Sequence, residues 1–338
     1  MNATPAAKPA TMNTIQAVNR ALEEALESDP TVVLLGEDIA DAEDGGVVGA
    51  TKGLSSKFGT SRVRTTPIAE QAIIGAAIGA GIVGMRPVAE IMLMNFTTVA
   101  MDMIVNHAAK LRFMSGGQTH VPITIRTMTG AGFGTGGQHA DYLEAWFAHT
   151  AGIKVVAPSS PADAYGLLLS CIFDDDPCLF IENMPSYWTL GPVPEAGVRI
   201  PLGKAHILKA GSDATLISYS RTIADCVAVA TKLEAEGVNV EVIDLRTVAP
   251  FDAETLIVSV ARTRRAVIVH EAVTPFGVGA EIATRLNEEL FGQLLAPIVR
   301  VGSNFSPVPF AKVLESGFVP TQLRIESALR KTLKLSVR

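Results

Sequence analysis

Glu70 and His139 are the two side chains best placed, by type and local setting, to move a proton or hold a charge. Glu70 heads a long apolar, glycine-rich run: residues 62–96 read RVRTTPIAEQAIIGAAIGAGIVGMRPVAEIMLMNF. Thr66-Pro67 is a helix-start signal, because proline at the first helical position gives up an N–H that would be unpaired anyway. Glu70 is therefore expected in the first helical turn. The plain reading is a carboxylate that complements the helix dipole, worth a few tenths to ~1 kcal/mol. His139 closes a glycine-rich loop, GAGFGTGGQH at 130–139, ahead of a helix expected near Ala140. Functional groups favour such loops at strand carboxyl ends, although a lone histidine also serves as a hydrogen-bonded core or surface group.

Two GxGxxG strings occur. Gly79-Gly81-Gly84 runs from helix to strand, the reverse of a dinucleotide fingerprint. Gly132-Gly134-Gly137 has the right order, but the chain some way on reads KVVAPSSPAD, with no acid closing that strand to hold a ribose. A nicotinamide-dependent dehydrogenase is thus a weak alternative. The sequence contains no nucleophile elbow, P-loop or HExxH motif.

The positioning elements alternate. Strands are expected at 31–37, 87–93, 121–128, 154–159 and 177–183, each a short apolar run. Helices are expected at 14–28, from Pro67, at 97–113, from near Ala140 and at 161–173. This rhythm means a parallel α/β sheet. Gly75 and Gly79, with Ala76 and Ala80, repeat small residues at a spacing that suits close helix packing. Four prolines over 184–205 and no helical period mark a linker, placed at 186–205. A second, smaller α/β unit follows, with strands at 214–219, 240–245, 266–271 and 297–302 and a helix near 322–333. The expected organisation is a disordered Pro/Ala-rich tail (1–12), a first domain (13–185), the linker, and a second domain (206–338).

With 338 residues there is ample material for a large core. Hydrophobic content of 48% against 18% charge is apolar for a lone soluble chain and implies a wide subunit interface. A net charge of −6 without a basic run argues against nucleic acid or an anionic membrane as partner. The longest uncharged apolar run, Ala72 to Met85, is shorter than the ~18–20 residues that cross a bilayer. No basic-then-apolar signal opens the chain, and three cysteines without metal or redox spacing fit a reducing, cytoplasmic setting.

The ordered pattern GED (36–38), GLSSKFG (53–59), TPIAE…RPVAE…NF resembles the β subunit of thiamine-diphosphate-dependent 2-oxo acid dehydrogenases. These are the E1β chains of pyruvate, branched-chain and acetoin dehydrogenase complexes. The resemblance runs from about Thr14 to about Leu333 and implies a pyrimidine-binding domain followed by a transketolase C-terminal-like domain. It implies that Glu70 hydrogen-bonds N1′ of the cofactor's aminopyrimidine, so that the cofactor's own imino group serves as base. Phe96 matches the aromatic stacked on that ring, with core packing as its plain alternative. His139 matches the histidine facing the reacting carbon, and Glu37 an acid near the subunit contact. A structural K+ is implied at the main-chain oxygens of Ile123, Cys171, Asp174 and Asp176.

Departures from the family pattern fall close to these residues. DTPISE reads TTPIAE, HSQ reads His139-Ala140-Asp141, and PG reads Ala151-Gly152. RTMTGAGFG (126–134) looks more like acetoin than pyruvate chains. The GDG…N segment that holds Mg2+ on the diphosphate is absent. The resemblance thus implies an α subunit carrying that half of the site, an α2β2 assembly, and transfer of an acyl group from a 2-oxo acid or acetoin to lipoyl-E2. A non-catalytic scaffold or regulatory β-like chain is the alternative from another class.

Overall fold

Strand β2 (Val32–Glu37) is apolar on both faces, and such a run is stable only inside a sheet covered on both sides. The computed structural model describes residues 10–335 and places it there. The first part of the chain runs β1 (Thr11–Asn13), α1 (Thr14–Ser28), β2, α2 (Leu54–Phe58), β3 (Val63–Thr66), α3 (Glu70–Ile82) and β4 (Arg86–Leu93). It continues through α4 (Leu111–Met114), β5 (Thr124–Thr129), α5 (Glu144–Ala148), β6 (Lys154–Val156), α6 (Pro161–Ile172), β7 (Cys178–Asn183) and β8 (Leu190–Pro192). The second part runs β9 (His206–Lys209), β10 (Ala214–Ser218), α7 (Thr222–Glu234), β11 (Val240–Asp244), β12 (Thr247–Ala249) and α8 (Ala253–Thr263). It ends with β13 (Ala266–Val273), α9 (Val278–Glu289), β14 (Val299–Ser303), α10 (Lys312–Phe318) and α11 (Gln322–Leu333).

The first sheet has seven strands in the order β12-β6-β7-β5-β4-β2-β3, and all but β12 run parallel. The second has five, β14-β13-β10-β11-β9, with only β9 antiparallel. Helix α1 begins with a capping box between Asn13 and Gln16 and buries Val18, Leu22 and Leu26 against α6.

The two units are welded. Strand β12 belongs by sequence to the second unit yet pairs with β6 at the edge of the first sheet. Phe147, Val155 and Ile181 of the first unit share one core cluster with Tyr219, Leu245 and Val248 of the second.

Several sequence expectations are corrected. Residues 11 and 12 of the expected disordered tail form β1, which pairs antiparallel with β8 inside the expected linker; residues 1–9 lie outside the described residues. Helix α3 starts at Glu70 rather than Pro67, because Val63–Thr66 first completes an edge strand beside β2. The helix expected over 97–113 is broken into a tight 3₁₀ turn (94–98), a wide π turn (103–108) and α4. Thr97 and Thr98 donate their hydroxyls back to Met94 O and Asn95 O, a local alternative to the helical ladder. The helix expected near Ala140 starts at Glu144, because Asp141 is held outside it: Asn95 bonds both its amide and its carboxylate, and Thr129 bonds its carbonyl.

Candidate active site

Glu37, Glu70, Phe96 and His139 all sit just beyond the carboxyl ends of first-sheet strands, where open α/β sheets bind ligands. Glu37 ends β2 in register with Thr66 of β3, and β3 leads through Pro67 to Glu70. Gly36 pairs with Glu90 of β4, which puts three carboxylates within electrostatic reach. Burial, then the charges of Asp38, Glu70 and Glu90, push the Glu37 carboxyl above its usual range.

Beyond β4 the 3₁₀ turn presents Phe96, and beyond β5 the glycine loop brings His139 to it. The two rings meet edge to face, centroids 5.5 Å apart with planes at 82°. Asn95 locks this arrangement by donating to Gly137 O (3.2 Å) and to Asp141 Oδ2 (2.9 Å). Half-buried Asp141 has its carboxyl raised by burial, partly offset by the Asn95 bond.

Glu70 itself is half-buried, not buried as a shared-proton role leads one to expect. It is the first residue of α3, and the apolar residues flanking that helix are more exposed still: Ile68 is 74% exposed and Val83 79%. A Cβ added at Gly79 would meet nothing within 4 Å. Gly79 therefore leaves an empty face, while Gly75 lies against Met103 and Gly81 against Pro122 and Ile123. The Thr66 hydroxyl nearby is buried without a hydrogen-bond partner.

Residues that spacing did not reveal lie behind this rim. Buried Arg126 makes a fork to Glu182 (2.7 and 3.0 Å) and reaches Glu90 at 2.6 Å, while Tyr187 donates to Glu182 at 2.8 Å. The available signal was a charged residue inside each of three strands, Glu90 in RPVAEIML, Arg126 in TIRTMT and Glu182 in CLFIEN.

Ile123, Cys171, Asp174 and Asp176 gather at the opposite, amino-terminal end of β5 and β7. There Ile123 O accepts Cys178 N, Cys171 O accepts Asp174 N, and Lys154 holds both Asp174 carboxylate oxygens at 2.6 Å. The carboxylates are matched by Lys154 and Arg112, and Asp174 O already accepts from the Arg86 guanidinium at 2.9 Å, so a monovalent cation would have to share these carbonyls through their second lone pairs. Among the described residues no group of three or more His, Cys, Asp or Glu could hold a metal ion.

The donor set at the rim is acids, an aromatic ring, an imidazole and an orphan hydroxyl, which suits an aminopyrimidine. Sheet, rim and open flank define the class. Residues 10–188 match the transketolase pyrimidine-binding domain family and residues 203–325 the transketolase C-terminal domain family. The chain is 42% identical over 326 residues to the β subunit of an acetoin:2,6-dichlorophenolindophenol oxidoreductase from Cupriavidus necator, covering 94% of this chain and 96% of that one. It is 43% identical over 326 residues to a pyruvate dehydrogenase E1 component subunit β from Staphylococcus epidermidis, covering 96% and 99%. A solved split-gene transketolase, described as an inactive β4 tetramer, has the same fold, with TM-score 0.77, 23% identity and coverage of 97% and 99%. The chain belongs to the family of E1 β subunits of thiamine-diphosphate-dependent dehydrogenase complexes, of which the acetoin and pyruvate chains are members. No helix among the described residues is long and apolar enough to cross a membrane.

Proposed function

We propose that this chain supplies the pyrimidine half of a thiamine diphosphate site in an α2β2 E1 enzyme that acts on a small 2-oxo acid or acetoin. One observation carries the reading: Glu37 beside Glu70, and Phe96 against His139, lie at the carboxyl ends of neighbouring strands, next to a partly exposed α3. When bound, thiamine diphosphate supplies a carbanion that adds to the substrate carbonyl. The α subunit covers Glu70 and contributes the Mg2+ and diphosphate half. Glu70 would then hydrogen-bond the pyrimidine nitrogen, the contact through which a proton is held there. Phe96 fixes the ring plane. His139 stands across from Phe96, where it steers the acyl group toward a lipoyl-E2 acceptor. Glu37, its carboxyl raised by burial and by neighbouring acids, is an acid beside Glu70 near the subunit contact. A K+ at the Ile123, Cys171, Asp174 and Asp176 carbonyls fits as a structural ion. The reading places the complex in the cytoplasm and divides the chain at 186–205.

Reconstitution tests it. The β chain alone, the α chain alone and the mixture are assayed with thiamine diphosphate, Mg2+ and either pyruvate, a branched-chain 2-oxo acid or acetoin. Turnover only in the mixture supports the reading. Turnover by this chain alone overturns the divided site.

A further inference from the structure

The loop that bears His139 is held mainly from the other unit. Glu271 of β13 accepts Ala131 N at 2.8 Å and Asn183 Nδ2 at 2.7 Å, and Arg221 donates to Ala131 O at 3.0 Å. Glu315 of α10 accepts Gly132 N at 2.7 Å and Gly134 N at 3.1 Å from each carboxylate oxygen. Gly132 and Gly134 both have positive φ (142° and 68°), so their N–H groups can converge on one anion. Phe310 seals the next stretch: a Cβ added at Gly136 would lie 2.3 Å from its ring.

Glu315 is the unusual member. Its side chain is 3% exposed, and among the described residues it makes no ion pair with a Lys or Arg. A buried carboxylate is costly unless donors replace its water, and here the donors are two loop amides. Burying an acid for two backbone N–H groups makes sense if the course of that loop matters.

We infer that Glu315 is a positioning residue for His139: its carboxylate fixes the 130–139 loop from the second unit and so sets the imidazole against Phe96. This rests on the role given to His139 in the proposed function.

The test uses the full chain, alone and assembled with its α subunit, as Glu315→Gln and Glu315→Ala. Glu241→Gln, a buried acid of the second sheet away from the loop, is the control for general loosening. Hydrogen exchange of the 131–139 amides should accelerate at least tenfold in Glu315→Ala and less in Glu315→Gln, with 63–96 unchanged. In the assembled enzyme kcat should fall at least tenfold and its pH profile should shift, with cofactor affinity and cofactor C2–H/D exchange at parental values. Parental loop exchange in both variants overturns the inference. So does a loosened loop with parental kcat and pH profile, or an equal effect in Glu241→Gln. A parental assembly without turnover overturns the functional reading instead, and the loop-exchange arm still decides whether Glu315 holds the loop.

Discussion

The Phe96 ring stands edge-on to the His139 imidazole, 5.5 Å between centroids. One residue comes from the turn after β4 and the other from the loop after β5, and Asn95 stitches the two together. In the proposed function this contact would join the wall of the cofactor site to the group that faces the substrate.

Replacing Phe96 by alanine should remove the wall without unfolding the chain, since the ring is only partly buried. Thiamine diphosphate affinity of the assembled enzyme is expected to fall about tenfold, or ~1.4 kcal/mol, by titration. Asn95→Ala should spare that affinity and lower kcat, because it frees the His139 side of the contact.

Arg126→Ala should be severely destabilising, by about 3–5 kcal/mol in denaturant unfolding, because it leaves Glu90 and Glu182 without their cation. Arg126→Met combined with Glu182→Leu should recover part of that loss, since the pair itself need not be net stabilising.

The contribution of Glu144 and Asp244 to stability should fall as pH rises from about 5 to 7, against an opposite contribution from buried His270, whose pKa is lowered to about 4. Burial raises Glu144 to about 7 from 4.5, and burial, with Asp163, raises Asp244 to about 7 from 3.8. A carboxyl with a raised folded-state pKa binds more protons folded than unfolded, so its contribution is complete below the unfolded value and is lost through the folded one. Glu144→Gln keeps the bond from Tyr219 and should flatten part of that slope in thermal melts across pH. An unchanged slope would contradict the assignment.

Much of this was legible from residue order. Strands such as VVLLGE and CLFIEN announce themselves by unbroken apolar runs, and the site residues follow because parallel strands deliver their next residues to one rim. The edge elements were not legible. Strand β3 is VRTT, with a single buried residue, while β8 and β12 are three residues long and exist only through their partners. Glu70 shows the same limit. Its place at the head of α3 follows from sequence, but its half-exposed state does not. Glu271 and Glu315 belong to the far unit, and nothing local ties them to the loop they hold.

Exposed apolar groups should become protected on assembly. Ile68, Val83 and Phe113 are 74%, 79% and 90% exposed. Ile68→Glu, beside Glu70 on that flank, should leave the isolated β chain folded by circular dichroism yet abolish co-elution with α in size-exclusion chromatography.

The most direct measurement is C2–H/D exchange of thiamine diphosphate in the assembled enzyme with Glu70→Gln. Glutamine can still hold the pyrimidine ring but cannot share a proton with it. The account predicts an exchange rate at least a hundredfold below the parent, with cofactor affinity within a few-fold and an unchanged melting temperature. Exchange at the parental rate would contradict it and take Glu70 out of the chemistry.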